Sequence, residues 1–82
     1  MSNDIEKRLL DYYLKYVIKA RDSFVLCKKL EDEFIVCEDT ERLETILQDI
    51  HSEQALLGHF CSRARIEKEK LDWYRVHGEL LK

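Results

Sequence analysis

Residues 23–39 read SFVLCKKLEDEFIVCED, and their reading decides the fold. Two apolar tetrads, 24–27 and 34–37, are separated by six polar or mixed residues, and each tetrad ends in cysteine. As strands they would form a β-hairpin whose cysteines could meet. As one helix they would hold the cysteines apart. The β-hairpin needs a turn within KKLEDE, where no Gly, Asn or Pro supplies a positive φ or fixes a turn.

The helix has a longer pattern behind it. Leu9, Tyr13, Tyr16, Ala20, Ser23, Cys27, Leu30, Phe34 and Cys37 follow one another in alternating steps of four and three. All but Ser23 are apolar, aromatic or cysteine, which is the seam of a helix packed along its length. Asn3 with Glu6 three residues on fits an N-cap and its reciprocal partner, and Asp4 suits the same end through the macrodipole. The first helix is therefore expected over about residues 4–36. Cys27 and Cys37 then lie about 15 Å apart along its axis, beyond the roughly 7 Å Cα separation a disulfide tolerates. The tetrads look like strands only because adjacent apolar residues cover most of a helix's circumference.

Asp39 and Thr40 are good N-cap types with Glu41 in the next first turn, so a second helix should begin there. Its seam runs through Leu43, Ile46, Ile50, Glu53, Leu57, Phe60, Ala64, Glu67, Leu71, Tyr74, Gly78 and Leu81. Glu53 and Glu67 interrupt it, and Gly58 followed by Ser62 could end one helix and cap a third, placing a possible break at 58–62. A short connection makes the helices antiparallel. Ala20 and Ser23 should then face Gly58 and Ala55, small residues that would let the backbones approach closely and give Gly58 a reason to sit mid-helix. The expected fold is all-α, a single domain over 1–82: an antiparallel hairpin of two long helices, assembling into a helical bundle.

Assembly is expected because 82 residues make a small core. A chain this short buries only about 60% of its unfolded surface and usually gains a disulfide, a metal or a partner. Apolar content of 45% with 38% charged is too apolar for disorder and suits long charged helices. No apolar run reaches a membrane span, the N-terminus lacks the order of a signal peptide, and the cysteine count is odd without a tight pair. A reducing cytoplasm with free thiols is the simplest compartment. The net charge of −3 hides a pattern: residues 31–55 hold nine acids against Arg42 alone, whereas the two flanking segments are mildly basic.

Outside the seams a second apolar set emerges. Leu14, Ile18 and Val25 point away from the first seam, and Ile66, Trp73 and Leu80 recur every seven residues in the second helix, in line with His59. A two-helix hairpin covers one stripe per helix and no more. These six residues are the expected partner interface, closed most simply by a homodimer or by another protein's amphipathic helix or groove. Scattered apolar residues would need no explanation, but these align.

Chemistry finds less footing. Cys27, Cys37, His51, His59, Cys61 and His77 lack the closely spaced pairs of a structural zinc site, so no metal is expected. No glycine-rich phosphate loop is present, and a slender hairpin offers little concave surface to a nucleophile or to paired carboxylates. No cofactor, small-molecule substrate or membrane partner is expected, and the chain reads as a non-enzymatic adaptor, co-chaperone or inhibitor. The alternative is a nucleic-acid accessory protein. Lys15, Lys19, Arg63, Arg65 and Lys68 gather with tyrosines at the open end, the ingredients of a single-strand or RNA surface. Against it, acidic residues interleave at i,i+3 and i,i+4 spacings, favouring intrahelical pairs.

Overall fold

The computed structural model describes residues 3–80. The Asn3 side chain, expected as a cap, and Leu81, the last expected seam position, lie outside what is described. Two helices, α1 (Asn3–Val36) and α2 (Thr40–His77), pack along each other as an antiparallel hairpin, and no strand occurs among the described residues. The apolar tetrads of the 23–39 stretch belong to α1 and its immediate end, not to strands.

The connection is three residues long and its chemistry is local. The Cys37 N–H donates to the Glu33 carbonyl at 3.1 Å, closing the last turn of α1. Asp39 is extended (φ −85°, ψ 115°), and its Oδ1 accepts from the Glu41 N–H at 3.1 Å, satisfying one orphan donor at the start of α2. Arg42 reaches back across the turn to pair with Glu33. At the far end the Arg75 Nε donates to Glu6 Oε1 at 2.8 Å, tying the open end of the rod. α2 stops at Gly78, which adopts the left-handed conformation (φ 69°) that costs glycine little, and whose N–H donates to the Tyr74 carbonyl at 2.7 Å.

Every seam position expected from Leu9 to Tyr74 is buried or half-buried. Leu9, Ser23 and Cys27 of α1 and Ile46, Ile50, Glu67 and Leu71 of α2 are the most enclosed. Gly78 leaves the seam as the cap. Glu67, an interruption in the sequence pattern, is only 5% exposed, yet its carboxylate lies 2.9 Å from Arg63 Nη2 and 3.5 Å from Lys70 Nζ. These cations stand one turn to either side on the same helix, so the cost of burying the acid is offset where it arises. No buried side-chain N or O among the described residues lacks a hydrogen-bond partner.

Two expectations about Gly58 are corrected. α2 runs unbroken through residues 58–62, so no third helix begins at Ser62. A propensity loss of about 1 kcal/mol does not end a helix whose seam is packed on both sides of the glycine. Nor does Gly58 serve close approach within the hairpin: it is exposed, and a Cβ there would meet nothing within 4 Å. Ala55 is exposed as well, so neither small residue lies between the helices opposite Ala20 and Ser23.

The result is a rod, 58 × 20 × 13 Å, with a radius of gyration of 17.9 Å. A compact chain of this length would have a radius of gyration of about 12 Å. The difference matters for function, because a rod leaves much of its apolar surface outside the seam.

Candidate interaction surfaces

All six residues expected at the partner interface are exposed: Leu14, Ile18 and Val25 on α1, Ile66 and Trp73 on α2, and Leu80, which falls beyond the Gly78 cap and so leaves the seven-residue line expected of it within the second helix. Ile18 is 48% exposed and Trp73 38%. The structure does not gather them into one face. In an antiparallel pair, side chains flanking the seam on one side of each helix share a flank of the hairpin. Contacts fix which residues share it. Arg63 lies over the Tyr16 ring at 5.4 Å and Lys19 over the Phe60 ring at 5.5 Å, and Tyr12, Arg63 and Lys70 line one depression. Ile66 and Trp73 stand one position outward from Arg63 and Lys70, on that same cationic flank. Leu14 lies across the seam from Tyr12, on the opposite flank, and Ile18 and Val25 form the outer edge of α1 beside it.

Sequence reasoning missed part of the second flank. Val17 and Phe24, seven residues apart, extend the line of Leu14, and Phe24 is 54% exposed. The seven-residue spacing was the available signal, masked because both positions border the seam and look like its edge. Together Leu14, Val17, Ile18, Phe24 and Val25 form an apolar strip along the middle of α1 broken by Arg21. The neighbouring strip of α2 is low: Ala55, Gly58, Cys61 and Ser62 are all small and exposed.

The cationic flank has its own character. Lys15 and Lys19 lie 5.7 and 5.9 Å from the Tyr16 ring centroid, so with Arg63 three cations surround one aromatic. Arg65 and Lys68 do not join them; their helix positions put them on the opposite flank. Arg63 is also committed to Glu67, and Asp11 sits among Arg8, Tyr12 and Lys15. The basic set expected for nucleic acid is therefore divided, with only Lys15, Lys19 and Arg63 brought together. Further along this flank the Trp73 and His77 rings lie 3.8 Å apart, centroid to centroid.

The thiols differ in setting. Cys27 is buried, Cys37 half-buried and Cys61 exposed, and all three are free. Burial, reinforced by the Glu53 and Glu31 carboxylates, pushes the Cys27 thiol pKa above its ordinary value. Among the described residues no three His, Cys, Asp or Glu side chains converge as metal ligands, and no helix is long and apolar enough to cross a membrane. No protein-family model matches the chain, and no curated protein or solved structure matches it.

Proposed function

We propose that this chain is a cytoplasmic, non-enzymatic interaction protein, an adaptor, co-chaperone or inhibitor that works by covering a protein surface. One observation carries the reading: the hairpin uses both its helices to close a single seam, and apolar residues on both flanks outside that seam remain uncovered. Large aromatics dominate the energetics of such contacts, so Trp73 is the anchor on the cationic flank, with Ile66 on the same line of α2. The buried thiol of Cys27, held protonated by its surroundings, suits packing better than nucleophilic attack.

A second reading rests on the three cations around Tyr16, with phosphates tracked by Lys15, Lys19 and Arg63 and a base stacked on Tyr12. The two separate in one experiment. Partner retention on tagged protein is compared with oligonucleotide binding by fluorescence anisotropy, for Trp73→Ala and for Lys15→Glu combined with Lys19→Glu. For the interaction protein, Trp73→Ala lowers retention of a specific partner by about thirty-fold, a hot-spot loss of about 2 kcal/mol, and the lysine pair changes little. For the nucleic-acid reading the lysine pair is the damaging change, and affinity falls steeply as salt rises. Retention and oligonucleotide binding both unaffected by either variant would remove both readings.

A further inference from the structure

The hairpin exposes more surface than a compact chain of its mass. The chain exposes 6478 Å², whereas a compact monomer of its 9.9 kDa mass exposes about 5,200 Å². The surplus is about 1,300 Å² per chain. Covering it on two copies would bury about 2,600 Å² in total, within the range of obligate homodimers. A closed pair also needs a self-complementary face, and the Leu14–Phe24 flank carries the longer apolar strip, with Arg21 within it and Arg65 and Lys68 toward the open end.

Charge then selects the arrangement. Residues 31–55 around the turn carry a net −8, and the two segments at the open end carry net +3 and +2. Two rods lying parallel would set the acidic turns side by side. Two rods lying antiparallel set each acidic turn against the other's basic open end, which like-charge repulsion and long-range attraction both favour.

We infer that a second copy of this chain covers the flank formed by Leu14, Val17, Ile18, Phe24 and Val25, with the two hairpins antiparallel in a four-helix bundle. The inference deepens the proposed function by naming the occupant of one of its two apolar surfaces. α1 lies along the partner's α1, where the bulky apolar residues interdigitate. α2 crosses the partner's α2 at the low strip of Ala55, Gly58, Cys61 and Ser62. Gly58 then has the packing role that it lacks inside the hairpin: its missing Cβ lets the second backbone come close. The Trp73 flank stays outside the dimer, free for a different partner.

The test is sedimentation equilibrium of the full chain in reducing buffer, at low and high salt, for wild type, Phe24→Glu, Gly58→Leu and Trp73→Ala, with helicity followed by circular dichroism. Phe24 is more than half exposed and Gly58 faces open space, so neither substitution disturbs the hairpin itself. The expected result is a wild-type dimer that weakens at high salt. Phe24→Glu and Gly58→Leu should each dissociate at least ten-fold more readily with helicity kept, and Trp73→Ala should dimerise like wild type. A monomeric wild type, or a dimer indifferent to both Phe24→Glu and Gly58→Leu, overturns the inference. Tightening with salt would overturn the antiparallel arrangement. Loss of the dimer in Trp73→Ala alone would place self-association on the other flank and refute this one. Partner retention through Trp73 is read independently, so failure of the dimer and failure of the proposed function are distinguishable.

Discussion

Leu71 is the side chain through which the packing of the hairpin is most directly weighed. It is 2% exposed, the most enclosed residue of the seam, and follows the buried Glu67 by one helical turn. Truncating a buried leucine to alanine costs about 2–5 kcal/mol, the spread depending on how far the site collapses. A rod with a single seam has few other side chains to close the gap, so a value of about 3 kcal/mol or more is expected. The total stability of a chain this size is about 4–12 kcal/mol, so a large part of it is at stake. One kcal/mol moves the midpoint of a 60–100-residue domain by about 4–8 °C, and Leu71→Ala should therefore lower it by about 12–24 °C. The assay is thermal unfolding followed at 222 nm, at one fixed protein concentration because any self-association would make the midpoint concentration-dependent. Leu56→Ala is the control. Leu56 is 45% exposed and off the seam, so its truncation should cost at most about 1 kcal/mol. Equal shifts for the two variants would refute the assignment of the seam as the core.

Other consequences follow from particular contacts. Asp39→Ala removes the cap on α2 and should cost about 1 kcal/mol, whereas Asp39→Asn, which keeps an acceptor, should lose much less. Gly78→Ala places a Cβ on a left-handed residue and should cost about 1–2 kcal/mol, read as fraying of the last turn in amide exchange. Thiol modification of the native protein should run Cys61 first, Cys37 next and Cys27 last, the final step appearing only with unfolding; equal rates for Cys27 and Cys61 would contradict the burial described. Alkaline pH acts through the same residue. The folded chain holds the Cys27 proton more tightly than the unfolded chain does, so this contribution is intact below the ordinary thiol pKa and is lost as pH rises above about 9. Wild type should thus lose stability relative to Cys27→Ala between about pH 8 and 11 in matched denaturant titrations, and parallel curves would show that the thiol carries no such linkage.

Much of this fold was legible because one physical signal repeated. The four–three spacing from Leu9 to Phe34 has no gap, and each of those residues is buried or half-buried. Asp39 was legible for a different reason, since its short acceptor side chain suits the exposed donors of a helix start. Gly58 was misread because a glycine has two opposite uses, breaking a helix or admitting a neighbour, and spacing alone does not separate them. Its exposed position on an unbroken α2 excludes both uses within the hairpin. Glu67 looked like a defect in the seam because the pattern records polarity and not the cations one turn away on either side. The six partner residues are legible as surplus, yet the division of the five helical ones between two flanks depends on how the helices turn toward each other, and Leu80 falls past the Gly78 cap. Contacts such as Arg63 over Tyr16 settle that division, and a single helix's periodicity does not.

A second chain covering the apolar flank of α1, as inferred above, would lie side by side with the first. Small-angle X-ray scattering of the unmodified protein in reducing buffer measures mass and longest dimension together. The expected result is a particle of two 9.9 kDa chains whose length stays close to the 58 Å of one hairpin. A single-chain mass with a radius of gyration near 17.9 Å, or a two-chain particle about twice that length, would contradict it.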